Sequence, residues 1–243
     1  MKNKSYIGIS FIILVFGIYA IPKIVSAFKN HTIVKEDRMS RVQQSLSEGK
    51  KSDLVRFGKV PQFKFINQDN IEVTNDYFKG KVYVVEFFFT TCPTICPIMT
   101  ENMIKIADAF KDDADFAIAS FSINPSKDTP SVLRKYRDDH IIKMKNWQML
   151  TGNREAIMAL SNKGFNLYAA MEDKAPGGFE HSGMFALVDK NGYIRSRKDE
   201  FGNPILCYRG VGGTRKDETG AVIDNTKPQL TELKQDILKL LKE

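Results

Sequence analysis

Lys81-Val-Tyr-Val-Val-Glu-Phe-Phe-Phe-Thr-Thr-Cys92-Pro-Thr-Ile-Cys96-Pro-Ile-Met99 decides the fold. Residues 81–89 are β-branched, aromatic and apolar apart from Lys81 and Glu86, the composition of a central strand buried on both faces. Beyond Cys96, apolar residues recur at Ile98, Met99, Met103, Ile104, Ile106, Ala107 and Phe110, which is helical spacing. A cysteine pair just after a central strand, opening a helix, is the thioredoxin-like placement.

Outward from this unit, strands and helices alternate. Pro61 to Ile66 alternates like a strand and Asn67 to Asn70 is a turn. Phe116 to Ile123 reads as a second strand. Asp128-Thr129-Pro130 opens a helix, with a capping side chain before proline in the first turn. Gln148 to Leu150 is a short strand, and Asn153 to Lys163 a helix ended by Gly164. Lys174 to Gly183 is a loop with Pro176, Gly177 and Gly178. Met184 to Val188 and Tyr193 to Arg195 form a hairpin about Asn191-Gly192. Pro228 begins an amphipathic helix with Leu230, Leu233, Ile237, Leu240 and Leu241. Residues 196–227 are charged and show no pattern. The expectation is an α/β, thioredoxin-like fold: a mixed central sheet with helices on both faces.

The N-terminus is different. Tyr6 to Ile21 is uncharged and apolar, with Lys2 and Lys4 before it and Lys23 and Lys29 after it. The run exceeds the core of a signal peptide and approaches the roughly 20 residues that span a bilayer. A single transmembrane signal anchor is therefore preferred to a peptide cleaved after Val25-Ser26-Ala27. No cysteine stands near that sequence, which argues against a lipid anchor. The leader has no arginine, which favours a bacterial export signal over a mitochondrial transit peptide. The expected organisation is an anchor over 1–28, a tether over 29–58 and the folded domain over 59–243, outside the inner membrane.

Composition excludes other classes. The net charge is +7 over 243 residues, but the first thirty hold four lysines and no acid, leaving +3 on the other 213. That weakens a nucleic-acid reading, which wants basic charge clustered on the domain. Hydrophobic content of 42% and charged content of 27% are those of a globular chain, not a disordered one. Three cysteines are too few for a disulfide scaffold.

The chemistry centres on Cys92 and Cys96. If the helix begins near Cys92, positions i and i+4 share a face, so the two thiols can chelate one ion or close a disulfide. A helix N-terminus stabilises thiolates, the form that both reactions need. Two thiolates suit a soft ion, above all Cu(I). Among the histidines, His31 lies in the tether and His140 at a charged helix end. His181 sits in a glycine-rich loop that can carry it over the cysteines; taken alone, a loop histidine is more often structural. Met99 and Met103 continue the cysteine face but read as core, as does Trp147. Glu86 is odd in an apolar strand and points either to a sheet edge or to a perturbed carboxyl near the cysteines. Cys207 reads as a spare thiol. Lys143, Lys145, Arg195, Arg197 and Lys198 read as solvated surface.

Three stretches in order carry a resemblance. Phe88 to Met99 resembles the cysteine motif of the SCO/SenC copper chaperones, Ser122-Ile-Asn-Pro-Ser-Lys-Asp128-Thr-Pro130 their second motif, and His181-Ser182 with Phe185 to Gly192 their histidine motif. The resemblance runs from about Val60 to Arg195. It implies a thioredoxin fold behind one anchor, with Cys92, Cys96 and His181 as ligands for copper, as Cu(I) and in a second state as Cu(II). It also implies a role at the binuclear copper site of cytochrome c oxidase, delivering copper or reducing the site's thiols. The implied partners are that oxidase subunit or another copper chaperone. One departure is Asn124, where many members have an acid; Asp128 is kept. Segment 196–227 with Cys207 is longer than the usual end of the domain.

Other readings use the same cysteines. A thiol-disulfide reductase of exported proteins needs Cys92 and Cys96 as its redox pair but not His181. Thr91-Cys92-Pro93-Thr94 is similar to a peroxiredoxin site, but Val85 and Phe89 stand where the activating residues belong. A structural zinc site wants four ligands, and three are visible.

Overall fold

A computed structural model of the chain describes Phe16 and residues 53–172, 174–216 and 222–243. The chain divides into two units, Met1–Ser47 and Glu48–Glu243. Apart from Phe16, the expected anchor lies outside the described residues, as do His31 and the tether up to residue 52. Among the described residues, no helix is long and apolar enough to cross a membrane.

The second unit is built on one mixed sheet. Its strands are β1 (Val55–Lys59), β2 (Lys64–Asn67), β3 (Glu72–Thr74), β4 (Val82–Phe88), β5 (Phe116–Ser122), β6 (Trp147–Thr151), β9 (Met184–Val188), β10 (Tyr193–Ser196) and β11 (Tyr208–Arg209). Their order is β1-β10-β9-β4-β5-β6-β2-β3, with β11 also paired to β9. β4, β5 and β6 are parallel; the remaining pairs are antiparallel. The register runs from Val82↔Phe116 to Phe88↔Ser122, so the C-terminal ends of β4 and β5 finish together. All seven residues of β4 are buried, as its composition requires.

The two faces of β4 meet different helices. Tyr83 and Phe87 point to a cluster with Phe63, Phe78, Phe121 and Phe165, in which Phe87 and Phe121 stack at 5.3 Å. α1 (Asn75–Phe78) and the helical turn 160–165 after α4 (Arg154–Ala159) close that face. Each large apolar side chain so buried contributes about 1.5–3 kcal/mol. On the other face, Phe88 meets Tyr136 of α3 (Pro130–Asp139) at 5.5 Å. The Tyr136 hydroxyl pairs with Thr100 of α2 (Ile95–Phe110) at 2.8 Å. Met99, Met103 and Trp147 are buried core, as the sequence indicates. α5 (Leu230–Lys242) carries Leu233, Ile237 and Leu240 into the interior.

Several expectations need correction. β1 begins at Val55, inside the stretch assigned to the tether, because its ladder to β10 holds it rather than an apolar pattern of its own. The helix expected to end at Gly164 leaves α-geometry at Leu160 and makes a π-turn to Phe165, closed by left-handed Asn166 (φ 54°). The loop 174–183 contains a strand, β8 (Phe179–His181), paired antiparallel with β7 (Ala169–Met171). Within the unassigned stretch 196–227, β11 joins the main sheet and β12 (Gly213–Lys216) pairs with β13 (Val222–Thr226).

Two of the basic residues are held by ion pairs, one buried and one partly so. Arg195 is buried and bonds Asp189 at 2.9 Å and Glu243 at 3.1 Å. Arg197 grips the buried Asp236 at 2.6 Å, which also accepts from the Tyr208 hydroxyl at 2.8 Å. These charges pin α5 to β10 and β11. Cys207 is buried, and burial pushes its thiol up to about 12. Glu86 lies in the central strand, not at an edge.

Candidate metal centre

The chain leaves the sheet at Phe88 and turns before the helix starts. The Cys92 N–H donates to the Phe89 carbonyl at 3.3 Å. α2 begins only at Ile95, so Cys92 precedes the helix and the two cysteines do not share a helical face. Pro97 falls in the first helical turn, where its missing N–H is not needed. Thr94 stands at the cap position but makes no capping bond. The Cys92 sulfur takes that place: it accepts the Cys96 N–H at 3.5 Å and lies 3.6 Å from the Thr94 hydroxyl. A sulfur in that position faces the positive end of a 16-residue helix.

Asp128 fixes the start of this turn. It is fully buried at the end of the second motif and accepts from the Thr90 N–H at 3.0 Å, the Thr90 hydroxyl at 2.5 Å and the Ser122 hydroxyl at 2.5 Å. Thr129 beside it caps α3 through the Val132 N–H, as the sequence anticipates.

His181 arrives from β8. β7 and β8 stand outside the main sheet, and their register sets His181 against Ala169 and Phe179 against Met171. Gly177, at φ 82°, lies so close that a Cβ would meet Phe89 at 2.7 Å. That approach presses the segment onto the cysteine turn. Phe179 packs on Phe89 at 5.3 Å, and His181 meets the same ring edge-on at 6.0 Å.

The three expected residues are thereby brought together. His181 Nε2 lies 3.1 Å from Cys96 Sγ, and the donor atoms of Cys92, Cys96 and His181 all lie within 4.8 Å of one another. All three residues are buried, and both cysteines are free thiols. Cys92 is the more open of the two, at 7% exposure against 1%. It borders an open cleft of about 440 Å³ whose rim includes Ile95, Glu172, Lys174 and Glu180. His140 is elsewhere, bonded through Nδ1 to the Tyr136 carbonyl.

The thiols are electrostatically unequal. Hydrogen-bond donation from the Cys96 thiol holds Cys92 far below the ordinary thiol range, against the upward push of burial; His181 and the N–H groups of Cys96 and Thr94 add to the lowering. Cys96 is pushed up, first by donating to Cys92, then by burial and by the negative charge of Cys92 and Glu86. Negative charge is therefore favoured on Cys92 over Cys96. Two sulfurs and an imidazole, clustered and shielded but open on the Cys92 side, are a donor set for a soft, low-coordinate ion.

Glu86 lies on the Phe88 face of β4, under α2. Its Oε1 accepts from the Ser120 hydroxyl at 2.6 Å, and that hydroxyl accepts from Trp147 Nε1 at 2.8 Å. Its Oε2 is buried without a hydrogen-bond partner among the described residues. Burial raises the carboxyl from 4.5 to about 7, partly offset by Ser120. Between pH 4.5 and 7 the folded state therefore holds a proton that the unfolded chain has already released, and stability falls as pH rises through that window. Glu86→Gln is expected to remove this decline, on the order of 2–3 kcal/mol. Denaturant unfolding followed by Trp147 fluorescence from pH 4.5 to 8 measures it; an unchanged slope in the variant would contradict the assignment.

Reading the sequence alone misses the Asp128 latch, the Gly177 contact and the hairpin that presents His181. The second motif signals the first of these, since a buried aspartate beside a helix cap needs donors. Nothing local marks the hairpin.

Comparison with known proteins matches this layout. The SCO1/SenC family model matches residues 53–210. The SCO1 protein homolog of Bacillus subtilis (strain 168) is 33% identical over 164 residues, covering 65% of this chain and 78% of its own. The solved structure of BsSco, described as a member of the Sco family of cytochrome c oxidase assembly proteins with a disulfide switch, aligns with a TM-score of 0.58 at 27% identity, covering 79% of this chain and 98% of that one. Bradyrhizobium japonicum ScoI, solved with copper bound, shares the fold with a TM-score of 0.50 at 23% identity, over 58% of this chain and 90% of its own.

Proposed function

Because the chain belongs to the SCO1/SenC family, we propose that it binds copper through Cys92, Cys96 and His181 and serves the assembly of the binuclear copper site of cytochrome c oxidase. The observation that carries this reading is the trio itself: two sulfurs and one imidazole nitrogen within 4.8 Å, buried together on separate elements. A dithiol reductase needs no imidazole at its second sulfur, and here His181 Nε2 lies 3.1 Å from Cys96 Sγ. Copper is cargo in this scheme. Cu(I) displaces the Cys96 proton and takes two thiolates and a nitrogen. The open side above Cys92 admits a recipient's thiolate or imidazole, and the ion passes by ligand exchange without entering water.

The proposed setting follows from the leader: one N-terminal span in the bacterial inner membrane, with the domain on the extracytoplasmic side. The recipient is the copper-site subunit of the oxidase or another copper chaperone.

Thiol reduction is a second reading, favoured by the asymmetry of the pair. The Cys92 thiolate attacks a partner disulfide and forms a mixed disulfide, releasing one partner thiolate. Cys96 then loses its proton, attacks the Cys92 sulfur and releases the second. The partner gains two electrons, and Cys92 and Cys96 become a disulfide.

The full-length chain in detergent, reduced and titrated with Cu(I) against a competing chelator, separates the two. His181→Ala removes one of the three donors and is expected to weaken copper by a factor on the order of 10²–10³, while leaving disulfide exchange intact. Absence of tight copper binding, or binding indifferent to His181 with fast exchange, would move the function to the reductase.

A further inference from the structure

β7 and β8 have three residues each and stand outside the main sheet. So small a ribbon has little stability of its own, and what holds it decides where His181 stands. Asn162 secures one end of β7, donating to the Ala169 carbonyl at 2.8 Å and accepting the Ala169 N–H at 3.1 Å. The other end is held by Arg154, the first residue of α4. Its NH1 lies 3.4 Å from Met171 Sδ, and its guanidinium carbon lies 6.0 Å from the centre of the Phe179 ring. Met171 and Phe179 are partners across the ribbon, so one guanidinium touches both strands. Its NH2 donates to the Ser126 hydroxyl at 2.9 Å, and Ser126 donates to Asn124 Oδ1 at 2.9 Å. Asn124 is buried, and its N–H bonds Ser122, the residue whose hydroxyl serves Asp128.

We propose that Arg154 is a positioning residue for the metal centre: it clasps the His181 ribbon to the segment that also latches the cysteine turn. The inference rests on the copper-binding reading. Two features support it. Arg154 Nε is buried with no acceptor among the described residues, a cost that a solvated arginine avoids by turning to water, so its other contacts hold the group in place. Only a fork can reach Ser126 and Met171 at once, which lysine, a point charge, cannot do. The chain also gives Asn124 a task here. Its amide oxygen accepts the Ser126 hydroxyl's hydrogen bond, leaving the hydroxyl oxygen to accept from the guanidinium.

The test uses the full-length chain with Arg154→Gln, made in the wild type and in His181→Ala. Arg154→Gln is expected to weaken Cu(I) about tenfold in the first background and not at all in the second, because its effect acts through the imidazole. Arg154→Lys is expected to fall between wild type and Arg154→Gln. A metal-free arm follows modification of the histidines by diethylpyrocarbonate, resolved by mass spectrometry. His181 is expected to react several-fold faster in Arg154→Gln, with His140 unchanged. Equal weakening in both backgrounds would overturn the proposal, as would an unchanged His181 rate. If wild type itself lacks tight Cu(I), the copper reading fails, and the His181 rate alone decides whether Arg154 positions the ribbon.

Discussion

Replacing Cys96 by serine is expected to abolish tight Cu(I) binding. A closed thiolate and imidazole site carries apparent binding energies of about 10–16 kcal/mol for zinc. Such a site has four ligands, so on that scale one ligand accounts for about 2.5–4 kcal/mol, a factor on the order of 10²–10³ in affinity. Cys96 is bonded to both Cys92 and His181 in the metal-free form, and its loss leaves only two of the three donors. Cys92→Ser is expected to cost a similar amount and to eliminate disulfide exchange as well. Competition with a chelator measures both. Retained tight binding in either variant would mean that the ion is held elsewhere. The fold is expected to survive, since the Cys92 and Cys96 thiols are free and close no loop.

The largest loss of stability is expected from Asp128→Ala. The carboxylate holds three donors in a fully buried position. Its removal strands the Thr90 N–H and two hydroxyls, each costing about 1–3 kcal/mol when left buried without a partner. Three fully buried groups would total about 3–9 kcal/mol; Thr90 is only part-buried, so the expected loss is about 3–5 kcal/mol, among the larger effects seen for single substitutions. Unfolding in denaturant, followed through Trp147, the chain's single tryptophan, measures it. A loss below about 1 kcal/mol would show that the latch is not structural. The same variant frees Thr90, two residues before Cys92, so copper affinity is expected to fall with stability.

What the sequence discloses follows from where the information sits. β4, β5, α2 and α5 carry their own apolar periods, and each lies where its pattern says. β1, β8 and β11 are short and mixed in composition; the strands beside them hold them, and that information is distributed along the chain. Arg195 and Arg197 look solvated in sequence because their partners, Asp189, Glu243 and Asp236, become visible as neighbours only once α5 packs. At the site, the residue types and the motif order are legible, while the geometry is not. The i and i+4 argument brings the thiols together for a reason that does not hold, because Cys92 precedes the helix and reaches Cys96 by capping it. His181 is legible only by resemblance, since its position depends on Gly177, Phe179 and the ribbon rather than on its neighbours in sequence.

The central claim is that one copper ion is held by two sulfurs and one nitrogen. X-ray absorption at the copper edge of the full-length chain, loaded with one equivalent of Cu(I), counts those ligands directly. The account predicts two sulfur scatterers and one imidazole nitrogen in the wild type, with the nitrogen lost in His181→Ala and one sulfur lost in Cys96→Ser. A sulfur-only shell in the wild type, or a nitrogen signal that persists without His181, would contradict it.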